Sequence, residues 1–193
     1  MRRLLTAVGL AALAALPLAA CHPKDEAAPS RSLVQIGGPF NLVDQDGKPV
    51  TERSLLGKPT AIFFGFTYCP EVCPTTMADL TAWLKTLGSD ADKLNVIFIS
   101  VDPERDTPQQ LKTYLSNFDP HIRGYTGTPE AIAKTAKEYR VYYQKVPQDG
   151  GGYTIDHSSA IYLFDAKGAF VSPIGYQTPA DRAVSQLRDL IKG

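Results

Sequence analysis

Two short, uninterrupted apolar runs constrain this chain more than anything else in it. Residues 60–66 (TAIFFGF) and 94–101 (LNVIFISV) have no polar face and are too short for buried helices, which marks them as strands covered on both sides. Between them Met77, Leu80, Leu84 and Leu87 recur at helical spacing over 74–87, an amphipathic helix. A strand, a helix and a second buried strand make a parallel crossover, and a parallel sheet needs helices on its faces.

The alternation continues downstream. Thr107-Pro108 has the form of an N-cap followed by proline at the first helical position and opens a helix to about residue 118. Residues 129–139 read as a third helix. Residues 158–164 and 169–174 flank Asp165-Ala166-Lys167-Gly168 as a hairpin, and Thr178-Pro179 opens a last helix to about residue 192. Ahead of these, 40–43 and 48–51 flank an Asp46-Gly47 turn. The expected order is hairpin, β, α, β, α, α, β, β, α. That order describes an α/β, thioredoxin-like mixed sheet flanked by helices, with an N-terminal β-hairpin, over residues 34–193.

The first 33 residues read differently. Arg2 and Arg3 precede an apolar run over 4–20, the layout of a secretory signal segment (1–20). Its end, Leu18-Ala19-Ala20-Cys21, resembles the lipobox of bacterial lipoproteins, in which the cysteine becomes the acylated first residue. Cys21 is therefore the expected lipidation site, with an uncleaved membrane anchor as the alternative. Residues 21–33 mix charge, Pro, Ala and Ser without periodicity and read as a flexible tether. Either form of anchor places the domain in a bacterial cell envelope, held at a membrane and facing the periplasm or the exterior. Lys+Arg and Asp+Glu both number 20 and 44% of residues are hydrophobic, which speaks against wholesale disorder and against a nucleic-acid partner.

If Cys21 is acylated, the remaining thiols are Cys69 and Cys73, in FTYCPEVCP, between the first buried strand and its helix. Open α/β sheets place ligands at this edge. Pro70 and Pro74 bias the residues before them towards extended backbone, and Pro74 suits a first helical turn, so Cys73 is expected at a helix N-terminus where backbone N–H groups favour thiolate. Two soft sulfurs on one loop suit Cu(I), whereas structural zinc normally takes four protein ligands. A structural disulfide is the plainer alternative, although it would close a very short loop and constrain little of the unfolded chain. His157, in YTIDHSS at the start of the late hairpin strand, would add an imidazole and with it a hold on Cu(II).

These segments carry a resemblance. FFGFTYCPEVCP (63–74), ISVDPERDTP (99–108) and YTIDHSSAIYL (153–163), in this order, resemble the Sco/SenC family of thioredoxin-fold copper proteins of cytochrome c oxidase assembly. The resemblance implies Cys69, Cys73 and His157 as copper ligands and the cysteines as a redox-active pair. It implies delivery of copper, or of reducing equivalents, to the CuA centre of cytochrome c oxidase subunit II, with other periplasmic copper carriers or thiol reductases as further partners. A thiol-disulfide oxidoreductase and, more weakly, a thiol peroxidase on the same fold stay open as alternatives.

Other residues read as less specific. The 102–106 loop (DPERD) is expected to be capped and solvated, with Asp102 or Asp106 as alternative supports for a metal ligand. Met77 shares the core stripe of its helix, and His121 is expected in an exposed turn. Phe64, Phe66 and Tyr68 read as packing, and Gly150 to Gly152 as a mobile loop.

Overall fold

A computed structural model describes residues 35–193; the expected signal segment, the lipidation site Cys21 and the tether lie outside the described residues. The first buried run forms β3 (Thr60–Gly65) and the second β4 (Asn95–Ser100), after a hairpin of β1 (Asn41–Asp44) and β2 (Pro49–Thr51). Every residue of β3 is buried, as a strand covered on both faces requires. Between them runs α1 (Val72–Leu87), which buries Met77, Leu80, Leu84 and Leu87 together with Cys73 and Trp83. Each such side chain contributes about 1.5–3 kcal/mol by leaving water.

After β4 come α2 (Pro108–Leu115), β5 (Ile122–Thr126), α3 (Pro129–Glu138), β6 (Tyr143–Pro147), β7 (Tyr153–His157), β8 (Ile161–Phe164), β9 (Phe170–Ile174) and α4 (Ala180–Lys192). The main sheet has the order β2-β1-β5-β4-β3-β8-β9, with β6 and β7 in a separate two-stranded ribbon. The pairs β3/β4 and β4/β5 are parallel, and the remaining pairs are antiparallel. Phe63 and Phe98, directly opposite in the β3/β4 register, face Tyr114 of α2 and the Cys73 end of α1. On the other face Phe64 packs on Tyr139 at the end of α3. The expected mixed sheet with helices on both faces is therefore the fold. Among the described residues no helix is long and apolar enough to cross a membrane.

Three elements depart from the sequence expectation. Strand β5 (IRGYT) was hidden by Arg123 and Gly124, which interrupt its apolar pattern. Gly124 is needed there, since a Cβ would stand 2.6 Å from Leu115 Cδ1 on α2. The ribbon β6–β7 was hidden by its polar sequence and by Pro147. Gly150, Gly151 and Gly152, expected as a mobile loop, lie at the turn of this ribbon with positive φ, where glycine carries no steric penalty. At α4 the cap position is Pro179, and the Thr178 hydroxyl instead donates to Gly175 O at 2.8 Å. Thr107, by contrast, caps α2 as its sequence indicates, its hydroxyl accepting from Gln110 N–H at 3.2 Å.

His121, expected in an exposed turn, is half-buried and bridges two segments. Nδ1 lies 2.6 Å from Asp119 Oδ1 and Nε2 3.0 Å from Asp92 Oδ1. A neutral ring can donate from one nitrogen only, so both contacts call for the imidazolium. Asp92 first, then Asp119, holds the His121 pKa above its usual value. A raised folded pKa stabilises the fold fully below the unfolded value of about 6.5, and the contribution disappears as pH rises through the folded value. We expect the stability advantage of wild type over His121→Gln, read from urea midpoints, to be present near pH 6 and to shrink by pH 9. Solvent screening at this partly exposed site keeps the difference below about 1 kcal/mol.

Candidate metal centre

The strand ends set the site. β3 terminates at Gly65, and a Cβ there would stand 2.9 Å from Cys73 Sγ, 2.7 Å from the Phe63 ring and 3.1 Å from the Phe98 ring. Glycine thus leaves the space into which the Cys73 sulfur fits. The following loop is fixed by Asp106, whose carboxylate accepts from Thr67 N–H at 3.0 Å, Thr67 Oγ1–H at 2.6 Å and Ser100 Oγ–H at 2.6 Å. The 102–106 segment, expected to be solvated, is instead anchored inward, with Asp102 and Asp106 both fully buried. Burial pushes the Asp106 carboxyl up, against the donors that favour its charge.

Cys73 is the second residue of α1 and is buried, while Cys69 is half-exposed. Cys73 N–H donates to Cys69 Sγ at 3.3 Å, so the free donor of the helix N-terminus serves Cys69, not Cys73 as the sequence suggested. A hydrogen bond from the Cys73 thiol, aided by backbone donors, pulls the Cys69 pKa down to about 3. Cys73 moves the opposite way, because its proton is held by Cys69 and its sulfur is desolvated. One thiolate and one thiol share the pair.

His157 ends β7, in the separate ribbon instead of the late hairpin strand where it was expected. Its Nε2 lies 3.5 Å from Cys73 Sγ, and its Nδ1 lies 3.0 Å from Ser158 O. Donation from Nδ1–H to that carbonyl leaves the Nε2 lone pair facing the sulfurs. The Phe63 and Phe66 rings hold the imidazole edge-on at 5.9 and 5.8 Å. The two sulfurs and the ring nitrogen all lie within 4.8 Å of one another. A trigonal ion with sulfur at about 2.3 Å and nitrogen at about 2.0 Å needs them roughly 4 Å apart, so the set fits a soft ion after a closure of under about 1 Å.

Arg105 was not singled out by the sequence reading, although it stands between two carboxylates in ISVDPERDTP. It pairs with the buried Asp102, and its Nη1–H donates to Tyr153 O at 3.0 Å. Its guanidinium lies 3.9 Å from the Tyr153 ring centre and 4.9 Å from that of Tyr68. Tyr153 O–H in turn donates to Asp102 at 2.8 Å. Arg105 therefore joins the start of β7 to the cysteine loop, and through β7 it fixes the base of His157. Met77 is core, as its helical spacing indicated.

The comparisons with known proteins identify the family of the chain. The SCO1/SenC family matches residues 28–192. Protein SCO2, mitochondrial, of Saccharomyces cerevisiae is 42% identical over 163 residues, covering 82% of this chain and 54% of that protein. The chain spans about half the length of the first curated relatives it matches. The solved structure of Bradyrhizobium japonicum ScoI with copper bound is 55% identical, with a TM-score of 0.76 over 80% of this chain and 99% of that one. BsSco, described as a member of the Sco family of cytochrome c oxidase assembly proteins with a disulfide switch, is 28% identical. Its TM-score is 0.65 over 81% of this chain and 94% of that one.

Two outcomes check the geometry. In the reduced protein, iodoacetamide at about pH 5 should alkylate Cys69 and spare Cys73, as read by peptide mass mapping. The rate should stay nearly flat to about pH 8, where an ordinary thiol of pKa about 8.5 gains about tenfold per pH unit. Gly65→Ala should cost about 1–3 kcal/mol in urea unfolding by overpacking, and should displace the Cys73 sulfur enough to make it reactive.

Proposed function

Because the chain belongs to the SCO1/SenC family, we propose that it is a copper metallochaperone of cytochrome c oxidase assembly in which Cys69, Cys73 and His157 hold the ion. The observation that carries this reading is the convergence of two sulfurs and an inward-facing imidazole lone pair within 4.8 Å. The donor set suits copper in both oxidation states, thiolates favouring Cu(I) and imidazole accommodating Cu(II). Copper is cargo here, and release proceeds by ligand exchange. Of the two sulfurs, an acceptor thiolate displaces Cys69 first, since that one is half-exposed while Cys73 is buried. The acceptor in this reading is the CuA centre of oxidase subunit II, with other periplasmic copper carriers or thiol reductases supplying the metal or the reduced thiols.

The division of charge between the sulfurs favours a second activity at the same site. The Cys69 thiolate can attack a target disulfide and expel one target sulfur as thiolate. Cys73, once deprotonated, then attacks Cys69 in the mixed disulfide, leaving both target thiols reduced and the protein pair oxidised. A CuA site must have reduced cysteines before it can take metal, so reduction would prepare the acceptor for delivery. We further propose that residues 1–20 direct export, that Cys21 is lipidated and that 21–33 tether the domain (34–193) to a bacterial envelope membrane, facing the periplasm or exterior. The Arg-led apolar run ending in Leu-Ala-Ala-Cys supports this placement.

Anaerobic reconstitution tests the central reading. The reduced protein should hold one equivalent of copper tightly. Cys69→Ser and Cys73→Ser should lose it, and His157→Ala should keep Cu(I) on two sulfurs while losing the sulfur-to-Cu(II) charge-transfer absorption. Copper binding unchanged in all three variants would sink the assignment.

A further inference from the structure

The ribbon β6–β7 has two strands only, so each has one edge without a strand partner. On β7 the ladder fixes which groups that edge presents. Ser158 N–H donates to Tyr142 O at 3.0 Å and Gln148 N–H to Gly152 O at 3.2 Å, so the even-numbered residues turn their main-chain groups towards β6. The peptide groups of Tyr153, Ile155 and His157 point the other way. Tyr153 is already served, its carbonyl accepting from Arg105. Among the described residues nothing hydrogen-bonds the main-chain N–H and C=O of Ile155 or His157. Ile155 is buried, and a peptide group beside a buried side chain is costly to leave without a partner.

This edge borders the cysteine loop. A cleft of about 330 Å3 has Cys69, Pro70 and Glu71 among its lining on one wall and residues 154–157 on the other. We propose that the open edge of β7 is a docking rail for the acceptor: an extended, cysteine-bearing segment adds there as a third strand. It hydrogen-bonds Ile155 and His157 and brings its own sulfur against Cys69. The inference rests on the reading of the cysteine pair as the transfer site. Its physical basis is continuity, because a strand pairs at about 4.8 Å from its neighbour and so runs along the cleft onto which the half-exposed sulfur opens. Arg105 ends the rail at Tyr153, which confines pairing to the two residues nearest the sulfurs and guards the rest of the edge.

The test captures the docked state. Cys73→Ser protein is treated with a short peptide whose single cysteine is a mixed disulfide with thionitrobenzoate. The Cys69 thiolate attacks the peptide sulfur, the Cys69–peptide disulfide forms, and thionitrobenzoate departs with the electron pair of the broken bond. Amide hydrogen exchange is then read by NMR against an adduct of the same protein with 2-mercaptoethanol, which has no backbone. The peptide adduct should slow exchange at Ile155 and His157 by about tenfold, the order a hydrogen bond contributes, and leave Thr154 and Asp156 unchanged. N-methylation of the peptide beside its cysteine should abolish the protection. Equal exchange in the two adducts overturns the rail, and Cys73→Ala replaces the serine variant if that one does not fold. Copper titration of the unmodified protein separates the two levels: equal exchange with copper retained removes the rail alone, whereas failure to bind copper removes the reading beneath it.

Discussion

Asp106 has no exposed surface, yet its carboxylate organises the end of the sheet from which the sulfurs project. A carboxylate taken out of water is stable as an anion only when its lone pairs are occupied, and here two hydroxyls and one backbone N–H occupy them. Two of those donors belong to Thr67, at the exit of β3, and the third to Ser100, the last residue of β4. The hydrogen bonds therefore lock two adjacent parallel strands to one another at their carboxyl ends. With Thr67 held, the loop that carries Cys69 starts from a fixed point, and Cys69 N–H donates to Phe66 O at 3.3 Å to turn it back. The helix that follows then aims its second N–H at the Cys69 sulfur. The polarity of the sulfur pair thus descends from a buried acid two strands wide and needs no positively charged side chain beside the sulfurs.

That hierarchy explains which parts were legible in the sequence. β3, α1 and β4 could be read because burial on both faces, or on one stripe, leaves a periodic apolar signature. The cysteine pair could be placed because its prolines bracket a strand-to-helix turn. β5 and the β6–β7 ribbon could not. Gly124 is chosen by the approach of Leu115 from a separate helix, and the ribbon's strands alternate between solvent and the domain surface without a strong apolar period. The solvated reading of 102–106 failed for a related reason. Acidic residues in a Pro-containing loop look exposed until their partners are known, and the partners of Asp106 stand 6 and 39 residues away in sequence. The preference for Cys69 as thiolate was likewise out of reach, since it depends on which sulfur the N–H of residue 73 meets, and that is a matter of loop geometry.

His157 is brought to the sulfurs by a different kind of structure from the one that holds the cysteines. They sit on a strand-to-helix turn backed by the core, whereas His157 hangs from a two-stranded ribbon, an element that alone is marginal in water. Its support comes from outside the ribbon. Ile155 is buried against the domain, Phe63 and Phe66 enclose the ring, and Arg105 gathers Tyr153, Tyr68 and Asp102 at the other end of β7. A planar guanidinium close to the Tyr153 and Tyr68 rings, whose fork engages a carboxylate and a carbonyl, gives directional hold that a lysine would not reproduce.

This unequal support bears on how a bound ion would leave. The sulfurs are nearly fixed, one of them buried, so a tightly held ion would be slow to exchange if every ligand were equally rigid. An imidazole at the end of a separate ribbon can instead swing out by rotation of its own side chain, giving up the edge-on contacts with Phe63 and Phe66 and the bond to Ser158 O while Ile155 and the Arg105 cluster hold β7 in place. The same displacement lowers the coordination number of the ion and exposes it at the Cys69 side, where an incoming thiolate can add before a protein sulfur departs. A rigid dithiol would serve affinity and a detachable imidazole would serve release, and in the proposed site the two ligand types stand on different elements, a core-backed turn and the end of a two-stranded ribbon.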